Sequence, residues 1–119
     1  MVVLATGTVA AAALEAGRLL AGGEPPCRVV GLPCAKPLDA SALDVLRGAR
    51  LVVTVEEHSV VGGLGGAVAE EMARRGGMPP LLRLGMPDRY LEADERPRLL
   101  ERAGLTSDGI AASVLAALG

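Results

Sequence analysis

Apolar positions along the chain fall into short continuous runs separated by stretches with helical spacing. Val2-Val3-Leu4-Ala5 is followed by Thr6-Gly7-Thr8, and then by Val9, Ala13, Ala16 and Leu20 up to Gly22-Gly23. This order predicts a strand, a polar cap, a helix and a stop. Arg28-Val29-Val30-Gly31-Leu32 predicts a second strand, closed by Pro33 and Pro37; Asp39 or Ser41 can then cap a short helix carrying Leu43, Val45 and Leu46, which Gly48 ends. Leu51-Val52-Val53-Thr54-Val55 is the clearest strand, β-branched and apolar on both faces, so it should be covered on both sides.

Gly62-Gly63-Leu64-Gly65-Gly66 leads from that strand into a helix with Leu64, Val68 and Met72 on one face. Leu81-Leu82-Arg83-Leu84 predicts a fourth strand, Met86-Pro87-Asp88 a loop, and Asp94 a cap for a helix with Pro97 in its first turn, stopped by Gly104. Thr106 or Ser107 can cap a last helix whose Ile110, Val114 and Leu118 share a face. Strands alternating with helices over short connections predict an α/β fold with a parallel sheet between helical layers.

The 119 residues suit one domain, 1–119, with one core. Half of them are apolar but Tyr90 is the sole aromatic, so that core must be built by close approach of Ala, Val and Leu. A net charge of −2 with no basic run and no aromatic platform argues against nucleic acid. The apolar runs are strand-length, well short of a bilayer span, and the expected location is cytoplasmic. Cys27, Cys34 and the single His58 support neither a disulfide framework nor a zinc site; the thiols are expected reduced, in buried or half-buried small-residue positions.

Ligands of open α/β sheets bind beyond the carboxyl ends of the strands, which places Thr6-Gly7-Thr8, Pro33-Cys34-Ala35-Lys36 and Glu56-Glu57-His58 on one rim. Glu57 and His58 have the chemistry of acids, bases or anion-binding groups, and a helix starting near Gly63 offers free N–H groups to an anion. The plainer reading takes Glu56, Glu57 and His58 as a solvated rim and Lys36 as a surface charge. Gly63 and Gly65 lack the third glycine of the dinucleotide fingerprint, since Val68 stands there, and the P-loop Lys-Ser/Thr is missing. No Gly-x-Ser-x-Gly elbow frames Ser59. Gly62, Gly63 and Gly65 then serve the backbone, allowing positive φ at a sharp turn and a helix packed closely on the sheet.

Thr54-Val55-Glu56-Glu57-His58-Ser59-Val60-Val61-Gly62-Gly63-Leu64-Gly65 resembles the C-terminal domain of transketolases, as do Ala5-Thr6-Gly7, Lys36-Pro37-Leu38-Asp39 and Gly104-Leu105 with Gly109-Ile110. The resemblance covers nearly every element. Related domains occur in deoxyxylulose-phosphate synthase and in 2-oxo-acid dehydrogenase beta subunits, and the Glu-Glu-His run looks closest to bacterial two-subunit and animal-like transketolases.

The resemblance implies a three-layer α/β/α domain that follows two thiamine-diphosphate domains and provides assembly and docking surface. It implies no catalytic, cofactor or metal residue in this chain, which lacks the family's Gly-Asp-Gly; thiamine diphosphate and a divalent metal belong to the partner domains. The family's antiparallel edge strand, upstream of the first strand here, is missing, which would leave Cys27, Arg28, Val29 and Val30 on an open, partner-facing edge. The expectation is a detached domain of a split transketolase, partnered by subunits carrying the thiamine domains. The alternatives are a stand-alone small-anion-binding or regulatory module and a fragment of a longer transketolase.

Overall fold

The computed structural model describes Met1–Gly119. Four strands, β1 (Val2–Ala5), β2 (Arg28–Gly31), β3 (Val52–Ser59) and β4 (Leu81–Met86), form one sheet in the order β2-β1-β3-β4. All three pairings are parallel. The connections carry the α-helices α1 (Ala10–Leu19) and α2 (Leu64–Arg75), and α3 (Arg96–Arg102) and α4 (Ser107–Leu118) follow the last strand. No helix is long and apolar enough to cross a membrane.

Alternation along the central strands divides the core into two layers. Val3, Ala5, Val53 and Val55 point to one face, where Ala13 and Ala16 of α1 and Ile110 and Val114 of α4 cover them. Val2, Leu4 and Val52 point to the other, against Leu43, Leu46, Leu64, Val68 and Met72. The result is the three-layer α/β/α arrangement expected from the sequence. With alanine and valine as the main fillers, the layers approach closely: a β-carbon on Gly17 of α1 would come 2.5 Å from Val29 Cγ2 on β2.

The predicted second helix is a 3-10 segment, Ala40–Leu46. Its two buried residues, Leu43 and Leu46, are three apart, the repeat of a 3-10 helix, and this geometry turns Val45 out to 38% exposure. Asp39 caps it, accepting from Ser41 N at 3.0 Å. Arg75 at the end of α2 ties it down through Asp44 at 2.7 Å and Ala40 O at 2.5 Å, and is itself held by Glu71 of α2 at 2.8 Å. Thr106 caps α4 by accepting from Gly109 N at 3.1 Å.

Two expected caps differ. Glu95, not Asp94, holds the cap position of α3, because Asp94 accepts from Glu95 N and pairs with Arg102. Thr6 makes no side-chain cap at the first helix. Cys34 is exposed, with its thiol 2.8 Å from Lys36 O, rather than at least half-buried, while Cys27 is half-buried as expected.

Candidate functional site

The carboxyl end of β3 is longer and more irregular than its sequence pattern indicates. Val55 pairs with Leu84 but Ser59 pairs with Met86, so β3 advances four residues while β4 advances two. The extra residues form a bulge that contains Glu56, Glu57 and His58, and bulges re-aim side chains where they occur. Gly85 on β4 makes room for it: a β-carbon there would lie 2.8 Å from His58 O, 3.0 Å from Val60 Cγ1 and 3.2 Å from Glu56 Cγ.

The two glutamates leave the strand on opposite faces. Glu56 follows Val52 and Thr54 under α2 and is 2% exposed, so it is not part of a solvated rim. Its carboxylate accepts from Leu64 N at 2.6 Å and from Gly65 N at 3.0 Å, two of the donors that the start of a helix leaves unpaired. The helix dipole favours negative charge at that point. Gly63 at the cap of α2 has its missing β-carbon where the Glu56 carboxylate lies, and Gly62 before it turns the chain at φ +75°. Gly65 is pressed onto the sheet, since a β-carbon there would meet Thr54 Oγ1 at 2.8 Å and Arg83 Cδ at 3.0 Å. The buried Thr54 hydroxyl has no hydrogen-bond partner.

Glu57 follows Val53 and Val55 to the other face. Arg96, at the start of α3, donates to both of its oxygens, at 2.7 and 2.6 Å, and Thr8 Oγ1 donates at 2.6 Å. Those contacts, Arg96 first and Thr8 second, hold the Glu57 carboxyl at about 2, well below its ordinary 4.5. The cluster joins the ends of β1 and β3 to α3. Sequence reasoning missed Arg96. Its signal was weak: an arginine in the first turn opposes the helix dipole and gains from an anion nearby, but Arg98 shares that first turn of α3 without forming an ion pair.

The remaining candidates do not converge. His58 is exposed, its Nδ1 2.8 Å from Ser59 O. Lys36 is exposed and lines a surface groove with Glu70, Glu71 and Arg74 on α2, away from Glu57 and His58. Cys27 and Val29 pack towards the α1 layer and Val30 towards the α2 layer, leaving Arg28 exposed on the edge strand. No three of the His, Cys, Asp and Glu side chains are grouped to hold a metal ion. The carboxylates at the strand ends face backbone N–H groups, a guanidinium and a hydroxyl, so these residues do not fit a metal-diphosphate site.

The family model for the C-terminal domain of transketolase matches residues 1–110. Among curated proteins, the 1-deoxy-D-xylulose-5-phosphate synthase of Thioalkalivibrio sulfidiphilus is 44% identical over 97% of this chain and 17% of its own length. That of Pseudomonas entomophila is 46% identical over 74% of this chain and 14% of its own. A solved structure described as a split gene transketolase, inactive beta4 tetramer, superposes with a TM-score of 0.87 at 39% identity, covering 98% of this chain and 38% of that one. The chain thus spans about a sixth of the length of the curated relatives it matches. Family model, relatives and superposition agree with the glycine-bounded Glu-Glu-His segment, and the chain belongs to the transketolase C-terminal domain family.

Proposed function

We infer that this chain is a non-catalytic subunit of a thiamine-diphosphate-dependent enzyme, giving assembly and docking surface to partner subunits that carry the cofactor and its divalent metal. The observation that carries this reading is the engagement of both strand-end carboxylates in internal contacts, Glu56 with the first turn of α2 and Glu57 with Arg96 and Thr8. A general acid or base must reach a substrate proton. These two groups are turned to the fold itself, and His58 stands without a second group to form a catalytic pair.

The open side of β2, from Cys27 to Val30, is the surface we assign to the partner: β2 pairs with β1 alone. The relatives' name makes 1-deoxy-D-xylulose-5-phosphate synthesis the first reaction to assay, and two-carbon ketol transfer, favoured by the Glu-Glu-His run, the second. Stand-alone anion binding at α2 is disfavoured, because the Glu56 carboxylate already takes two of its N–H groups. The reading is tested by co-purifying the chain with products of neighbouring genes and assaying both reactions with thiamine diphosphate and magnesium. Activity that requires this chain supports it; absence of any partner, with no effect on either reaction, removes it.

A further inference from the structure

Tyr90 is the only aromatic residue of the chain, and it is 102% exposed. A ring exposed to that degree buries no area on folding, so the fold does not account for it. A single exposed apolar side chain is ordinary in itself, but the loop that carries this one is fixed at both ends. Segment 87–95 leaves β4 in a turn in which Arg89 N donates to Pro87 O at 2.9 Å. At the far end Asp94 accepts from Glu95 N at 2.8 Å and pairs with Arg102 at 2.9 Å, while Arg96 is clamped to Glu57 at 2.6 Å. An aromatic side chain on a braced loop loses little further freedom when another molecule buries it.

Beside the ring lies a cleft of about 310 Å³ with Pro87, Leu91, Leu99 and Ala103 as apolar walls. Arg89 and Glu92 also line it, both exposed, and neither takes part in an ion pair. We propose that Tyr90 and this cleft form a contact with the polypeptide that carries the thiamine domains, a proposal that rests on reading the chain as a subunit of that enzyme. Arg89 and Glu92 oppose each other in sign, so the patch has no net charge to draw a nucleic acid or an anionic membrane, which leaves a protein surface. The surface it fits offers an apolar side chain to the cleft, a pocket with an acceptor for the phenol hydroxyl, and a carboxylate and a cation against Arg89 and Glu92. Tyrosine and arginine are the side chains that most often dominate such contacts. Tyr90 follows β4, at the opposite edge of the sheet from β2, so the contact is independent of whatever covers β2.

The experiment uses the full chain and the partner with which it reconstitutes turnover. Tyr90 is the only tyrosine, so 3-fluorotyrosine labelling gives one fluorine NMR signal, which should shift or broaden when the partner is added. Tyr90→Ala should raise the dissociation constant by about tenfold or more, with an unchanged denaturation midpoint because the ring buries nothing in the free chain. Arg89→Glu should weaken binding as well, and by more at low salt than at high. A partner that binds wild type and Tyr90→Ala equally, or a fluorine signal that stays in place within the complex, overturns the proposal and leaves the subunit reading standing. A wild-type chain that binds no partner overturns both.

Discussion

The carboxylate of Glu56 occupies the place where Gly63 would carry a β-carbon. Gly63 has φ −97° and ψ −152°, a conformation open to any residue, so the requirement for glycine is steric and comes from one side chain. Gly63→Ala should therefore push Glu56 off Leu64 N and Gly65 N and destabilise the chain by about 3 kcal/mol. Gly66, three residues on and inside the first turn of α2, has nothing within 4 Å of its β-carbon position. Gly66→Ala should stabilise by ~0.5–1 kcal/mol through helix propensity. Denaturant midpoints of the two variants, expected to move in opposite directions, check the pair.

Glu56→Gln keeps the length of the side chain and loses the negative charge and one acceptor. Its amide NH2 would face a backbone N–H, leaving one donor at the start of α2 unpaired, for a loss of about 2 kcal/mol. Glu57→Gln, on the opposite face and at the surface, should cost less than ~1 kcal/mol. Chemical denaturation that ranks Glu57→Gln as the more damaging change would contradict the assignment of the two faces.

Acid should weaken the Glu57–Arg96 contact with a defined sign. The folded carboxyl titrates at about 2 against an ordinary 4.5. The stabilisation is therefore complete above about pH 4.5 and is lost as pH falls from there towards 2. Both groups are solvent-accessible, so the amount is small and falls further as salt screens the pair. Arg96→Ala should return the Glu57 carboxyl towards 4.5, visible in an NMR titration of its side-chain carbon. Glu71, held at about 2 by Arg74 and Arg75, should not move in that variant.

Gly85→Ala should disturb the bulge of β3 from the neighbouring strand. The nearest atom, His58 O at 2.8 Å, belongs to the backbone and cannot rotate away. A loss of about 2 kcal/mol is expected, with amide exchange accelerated at Val60, which donates to Met86 O at 3.0 Å. Unchanged exchange at Val60 would mean that the bulge does not need this glycine.

Much of this architecture is legible in the residues themselves. Val2 to Ala5 and Val52 to Val55 are apolar on both faces, and so are central strands. The 3-10 segment was not legible as such, because the three-residue spacing of Leu43 and Leu46 suits one face of an α-helix as well as a 3-10 helix over so short a stretch. The bulge was invisible for a different reason: register is a property of two strands, and nothing in Glu56-Glu57-His58 reveals how Leu84-Gly85-Met86 advances beside it. Alternation continued past Val55 would have separated the two glutamates, but only with the knowledge that the strand runs on to Ser59. Arg96 lies 39 residues from Glu57, and their pairing depends on where α3 returns to the sheet.

Under the proposed function, the chain supports an enzyme through its fold and surface and not through chemistry at its strand ends. The most direct measurement is the turnover of the assembled enzyme reconstituted with wild-type chain and with His58→Ala, at matched subunit occupancy, beside the isolated chain. A non-catalytic subunit should give no turnover by the isolated chain, turnover on assembly, and the same kcat with His58→Ala as with the wild type. Turnover by the chain alone, or a kcat that collapses with His58→Ala while assembly is unchanged, would contradict it.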